Sequence, residues 1–229
     1  MATAYMSVWQ YVIKEMETAI YHCASGCDPQ EENCREKRVH EWDKAVAMFT
    51  GSIPRVEGAG GNLIFTLGQQ LCRKFGTCLN EGMNIGMASI NDKIFKFFKA
   101  GKQNILTGNC QDAHVNANTI TQLMSVPLIQ ATLSAAYVLN KATGSTSNVT
   151  KASGATMAAS ILPLVHSCSD TDASVLYNNM RTDRGEPPDF ASVKAAFERN
   201  YNCMKITCDH VGGLVNAASN GYLEGAQPC

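Results

Sequence analysis

The stretch Arg38 to Ser52 reads RVHEWDKAVAMFTGS and sets a His, a Glu and an Asp around a Trp within four residues. Turning about 100° per residue in a helix, Val39, Trp42, Val46 and Phe49 form its apolar stripe. Glu36, His40 and Asp43, at i, i+4 and i+7, run along one edge of that stripe. An edge is dry enough to strengthen a charge interaction and still open to solvent. Two carboxylates and an imidazole are donors suited to iron, zinc or manganese. With a single His, the set matches neither the two-His-one-carboxylate triad nor the paired Glu-x-x-His sites of helical bundles. The competing reading is a solvated face on which Glu36, Glu41, Lys37 and Lys44 pair at helical spacings. On geometry Glu41 is the weaker ligand, since it points further from the stripe than Asp43 and has Lys44 three residues on. From the preceding helix, Glu17 flanks the apolar face and reaches the same edge if the two helices pack antiparallel. Glu15 and His22 fall on the opposite face, expected to be solvated.

The remaining candidates carry less. Asp112 is expected to cap a helix and leave His114 incidental. His166 suits a helix C-terminus, and local structure explains His210 beside Cys208 and Asp209. The sequence contains no GxSxG elbow, no GxxxxGK[ST] loop and no HExxH, so no enzyme is expected. Glu57 to Asn62, EGAGGN, is a glycine-rich loop whose amides could hold a small anion; a flexible connector explains it equally well.

The elements that must position these side chains are helical. Trp9, Val12, Ile13, Met16, Ile20 and Cys23 share one face. A second helix opens near Asp28-Pro29 and stops at Gly51, and a third, capped by Asn62, covers Leu63 to Phe75. Further helices are predicted over Met87–Lys99, Val115–Asn140, Ala152–His166, Ser174–Met180 and Asp189–Tyr201, with a short one after Asp209. Between Asp112 and Lys141 there is no Asp, Glu, Lys or Arg. That run contains Asn, Gln and Pro127, so a buried central helix is expected rather than a transmembrane segment. Strand signals are sparse, and the fold class is all-α.

The chain has 229 residues, a net charge of −1 and no basic cluster, which argues against nucleic acid and anionic membranes as partners. Its ten cysteines are Cys23, Cys27, Cys34, Cys72, Cys78, Cys110, Cys168, Cys203, Cys208 and Cys229. An even, high count without paired CxxC motifs points to disulfides in an oxidising compartment rather than zinc. Their connectivity stays open; Cys72/Cys78 and Cys203/Cys208 are either bonded locally or two anchors at a helix end. Met1 to Ala19 is not a signal peptide, and the expectation is that a secretion signal has been removed. Asn148-Val149-Thr150 is a glycosylation sequon, with Asn148 as acceptor. FTLGQQLCRKFGTC and AAFERNYNCMKITC hint at a duplication, giving two pseudo-symmetric helical halves, 1–110 with the candidate metal site and 111–229, packed as one unit.

At HEWDKAVAMFTGS the sequence resembles the algal Fe-assimilating protein family, secreted periplasmic proteins linked to iron uptake, some of them responsive to CO2. The residues that carry the likeness are Glu41, Trp42, Asp43, Ala45, Val46, Phe49, Gly51 and Ser52. The helix ending in Cys72 and Cys78 is similar to the family's cysteine-bearing segment, so the likeness covers about Val39 to Cys78. The second half agrees in general character and lacks a second Trp-Asp motif. The resemblance implies an extracellular iron-handling role and adds Glu41 to the ligand candidates.

Together these readings give a secreted, periplasmic or cell-surface protein that binds iron and concentrates it for a membrane uptake system. Asp43, His40 and Glu36 would coordinate it, assisted by Glu17 or Glu41, with water or a small anion in the open positions. Oxygen-rich donors favour ferric iron. The alternative is a metal-free secreted helical module that binds a surface receptor or cell-wall component.

Overall fold

The computed structural model describes residues 2–25, 32–51, 63–81, 84–142, 148–219 and 221–229. The helix opening at Asp28-Pro29, the Asn62 cap, the 57–62 loop, Cys27 and the side chain of Cys34 lie outside the described residues.

The protein is an all-α bundle held by disulfides. Its helices are α1 (Ala2–Ala24), α2 (Glu32–Thr50), α3 (Ile64–Phe75), α4 (Ser89–Thr107), α5 (Cys110–Leu123), α6 (Ser125–Lys141), α7 (Asn148–Cys168), α8 (Asp170–Met180), α9 (Phe190–Asn200) and the single-turn α10 (Cys208–Val211). Two small antiparallel hairpins interrupt them, β1 (Cys78–Glu81) with β2 (Asn84–Ala88) and β3 (Val215–Asn216) with β4 (Gly221–Tyr222). Ile85 and Met87 alternate in β2, but the ribbons are too short for such a pattern to stand out in the sequence or to bury a face of their own.

Helix α1 forms as its stripe dictates: Trp9, Val12, Met16, Ala19 and Cys23 are buried, and that face lies against α2, α5 and α7. Helix α2 stops at Gly51, whose φ of 78° a side chain would oppose. The neutral run is not one helix. It breaks at Met124 into α5 and α6. Pro127 supplies no N–H to the carbonyl of Leu123, and its ring crowds that carbonyl. Beyond the break every residue from Ser125 to Leu133 is buried, and α6 packs on α3, α7 and α9 as the central helix. One hydrophobic core runs from Tyr5 to Ala226.

Caps set the later boundaries. Ser169 accepts from the Asp172 amide at the start of α8, and Asp189 from the Ala191 amide at the start of α9. Thr207 and His210 form a reciprocal capping box on α10, which is the local role expected of His210. Asp112 does not cap α5; it sits in the first turn, after Asn109 at the N-cap position. His114 Nδ1 meets Asn118 Nδ2 at 3.2 Å.

Among the described residues the disulfides are Cys23–Cys110, Cys72–Cys78, Cys168–Cys203 and Cys208–Cys229. Cys72 and Cys78 bond locally, whereas Cys203 and Cys208 anchor a helix end to two distant partners. The two cysteine pairs that hint at duplication are therefore not equivalent in their bonding. Four such bonds are consistent with an oxidising, extracellular setting.

Helices α8 and α9 are joined by a part-buried ion pair. Arg199 Nε and Nη2 donate to Asp172 Oδ1 at 3.1 and 2.5 Å, and Asn200 Nδ2 donates to Oδ2 at 2.8 Å. The Arg199 hydrogen bonds, helped by Asn200 and opposed by burial, hold the Asp172 carboxyl below its ordinary range. A depressed folded-state value means stability that is present above the unfolded carboxylate value and lost as pH falls through the folded one. The urea midpoint should therefore drop below about pH 4. In D172N the protein should be less stable at neutral pH and its acid slope shallower; an unchanged slope would show that the pair adds nothing.

Candidate functional site

The site is built on α2, whose rotation is set by what it buries. Arg38, Trp42, Ala45 and Phe49 are fully buried, while Val39 and Val46 are only half-buried. The stripe is thus turned toward Arg38 relative to the sequence expectation. Arg38 reaches the last turn of α4, where its Nη2 donates to the Leu106 carbonyl at 3.3 Å; a guanidinium suits that carbonyl-rich end. Trp42 lies against α4, with Nε1 donating to the Phe98 carbonyl at 3.0 Å and the ring edge-on to Phe98.

This rotation decides where the carboxylates go. Glu41 falls beside the buried stripe, facing α1, with its side chain 16% exposed; Asp43 falls on the other flank, facing α4, 47% exposed. The expected order of the two is therefore reversed. Glu41 shares Lys44 with Glu15: the lysine Nζ is 2.5 Å from Glu41 Oε2 and 3.0 Å from Glu15 Oε2. The hydrogen bond with Glu15, then that with Lys44, holds the Glu41 carboxyl below its usual range, and both carboxylates hold the Lys44 ammonium above its own. Glu15, expected on a solvated face, is 2% exposed. Ala19 belongs to the α1 stripe and widens it toward Glu15, so Glu15, not Glu17, is the α1 carboxylate that meets α2. Glu17 is exposed on the far side.

Glu36, His40 and Asp43 line one shallow, open depression on α2, with Asn33, Lys37 and Val39 completing its wall. Asp43 is already engaged: Lys102 of α4 donates to both of its oxygens, at 2.8 and 2.7 Å. His40 and Glu36 make no hydrogen bond or ion pair among the described residues. No group of three His, Cys, Asp or Glu side chains among the described residues is placed to hold a metal ion. The donor types suit a hard cation, but an ion would have to draw the trio together and take Asp43 from Lys102. Lys102, buried Arg38 and buried Glu15 are the site residues that spacing alone does not reveal, whereas the i,i+3 pair of Glu41 with Lys44 is the one it does. Asn148 is exposed at the first position of α7, which leaves its sequon accessible.

The fold and the site define a disulfide-bonded, all-α protein with a half-neutralised acidic helix edge. Comparison with protein-family models, curated proteins and solved structures finds no match to this chain.

Proposed function

We propose that the protein binds iron outside the cell and delivers it to a membrane uptake system. The observation that carries this reading is the common, solvent-open depression lined by Glu36, His40 and Asp43. The resemblance over Val39 to Cys78 and the disulfides, which suit a secreted or periplasmic protein, support it. An open trio in competition with Lys102 would give a weak, exchangeable site, which suits a carrier better than a store. Glu41 is removed from the set by Glu15 and Lys44, and Glu17 by its distance round α1. Water or a small anion would fill the open coordination positions. The donors must shed protons to bind, so affinity falls in acid.

Calorimetric titration with ferric iron supplied as a soluble chelate tests the site. H40A/D43A should abolish binding. K102M, which frees Asp43, should tighten it by up to about fivefold, the worth of one exposed ion pair. Unchanged affinity in both variants removes this site.

A second reading rests on its own observation. Glu41 shares Lys44 with Glu15 of α1, and Asp43 pairs with Lys102 of α4, so the Glu-Trp-Asp core joins α2 to α1 and α4 without any ion. On that reading the protein is a metal-free helical module for a surface receptor or cell-wall component. Metal analysis of protein purified without a metal-affinity tag separates the two: no iron, even after soaking, favours the module.

A further inference from the structure

Away from α2, a cleft of about 270 Å³ opens where α8 runs into the segment 181–188. It lies just below the 300–1,000 Å³ range of small-molecule pockets. Its floor is apolar, made by Leu139 of α6, Met180 at the end of α8, and Pro188. Three cations stand around that floor: Lys151 from α7, Arg181 and Arg184. Glu186 is the one carboxylate among the lining residues. In a chain of net charge −1 this is a local excess of positive charge.

The cations differ in how they are held. Arg184 Nη1 donates to the Asn178 carbonyl at 3.1 Å and to Asn179 Oδ1 at 2.9 Å. Asn179 Oδ1 also accepts from the Asp189 amide at 2.9 Å, so one side-chain amide ties the middle of the segment to its far end. The guanidinium is fixed in place with donors to spare, and its charge also acts on the nearby Asp189 carboxylate. That carboxylate is itself engaged by Ser192 and the Ala191 amide at the α9 cap. Arg181 leans outward to the exposed Asp183 at 3.3 Å. Lys151 makes no hydrogen bond or ion pair among the described residues, although it is half-buried. A half-buried lysine with no ion pair among the described residues and a fixed guanidinium line the same cleft over an apolar floor, which gives the cleft two cations for one anion.

We propose that this cleft binds a small organic carboxylate, its anionic group between Lys151 and Arg184 and its apolar body on Leu139, Met180 and Pro188. Bidentate acceptance from a guanidinium favours a planar carboxylate, and the apolar floor favours an anion with a hydrocarbon part over a bare inorganic one. The site is independent of the iron reading: it shares no residue with α2.

Benzoate, benzamide and inorganic phosphate, titrated calorimetrically into the full chain, test it. Benzoate should bind saturably and benzamide and phosphate each more weakly. K151M should weaken benzoate by about tenfold, the size of one charge-assisted contact, and R184Q by at least as much. K151M removes no hydrogen bond or ion pair among the described residues, so it stays informative if R184Q unfolds. Equal binding of benzamide, phosphate as tight as benzoate, no saturable benzoate binding, or unchanged benzoate affinity in K151M would each overturn the proposal.

Discussion

The variant C23A/C110A should lose about 4–5 kcal/mol of stability, more than the loss of any other described disulfide. The reason is chain length. Cys23 and Cys110 are 87 residues apart, against 35 for Cys168–Cys203, 21 for Cys208–Cys229 and 6 for Cys72–Cys78. A cross-link acts largely by denying conformations to the unfolded chain, and the effect grows with the logarithm of the loop it closes. The same relation gives about 2 kcal/mol for C72A/C78A. The bond also ties the last turn of α1 to the first residue of α5, and the loop it closes contains all of α2, α3 and α4. A domain has only about 5–15 kcal/mol to lose, so this one change removes a large share. Alanine is the right replacement, because a serine at buried Cys23 would add an unsatisfied hydroxyl. Guanidinium unfolding of the two double variants measures the ranking. If C72A/C78A proves the costlier, loop length is not what decides these contributions.

How much of this was legible in the sequence varies with the kind of residue. The α1 stripe was readable, because Trp9, Val12, Met16 and Cys23 are apolar and their spacing is helical. The stop of α2 at Gly51 was readable for the same local reason. The break at Met124 is harder, since a proline in the first turn of one helix and a proline inside a longer helix look alike until the preceding carbonyl is placed. Residue type misleads most on α2. Arg38 reads as surface, because charged side chains rarely go inside. It is buried here because the C-terminal turn of α4, far away in sequence, offers it a carbonyl. Once Arg38 belongs to the core, the helix rotates, Glu41 moves inward and Asp43 outward. The candidate site was thus legible as a set of donors on one helix edge. What those donors already hold was not, because Lys102 and Glu15 come from other helices and no local pattern points at them.

The Glu-Trp-Asp core gains a physical meaning from its middle residue. Trp42 is the wedge driven into α4, against Phe98 and Gly101, and the carboxylates that flank it diverge, Glu41 toward Glu15 of α1 by way of Lys44 and Asp43 toward Lys102 of α4. The partner of the wedge is Gly101, in the second half of α4. A Cβ built there would stand 2.1 Å from Trp42 Cζ2 and 2.6 Å from Cη2. A glycine inside a helix costs about 1 kcal/mol relative to alanine, so its presence is explained by the ring it admits.

The expected result is a reversal of sign. In the native background G101A gains about 1 kcal/mol of helix propensity. It also drives a methyl into a ring that cannot retreat, since Trp42 is fully buried, hydrogen-bonded to Phe98 and packed edge-on against its ring. Overpacking of this kind costs about 1–3 kcal/mol and more where the ring is locked, so G101A should be net destabilising. W42A alone should cost about 3–5 kcal/mol, from lost burial and the cavity left behind. With the indole gone the methyl has room, and G101A should then stabilise W42A by about 1 kcal/mol. Denaturant unfolding of the native protein, both single variants and the double variant yields the coupling directly. Equal destabilisation by G101A in both backgrounds would mean that the methyl meets something other than Trp42. The same four proteins bear on function. If the Glu-Trp-Asp core is only a joint between helices, iron affinity in G101A should follow its folded fraction. If Glu36, His40 and Asp43 form the iron site, a ring forced off α4 shifts Asp43 relative to Lys102, and affinity should change in protein that remains fully folded.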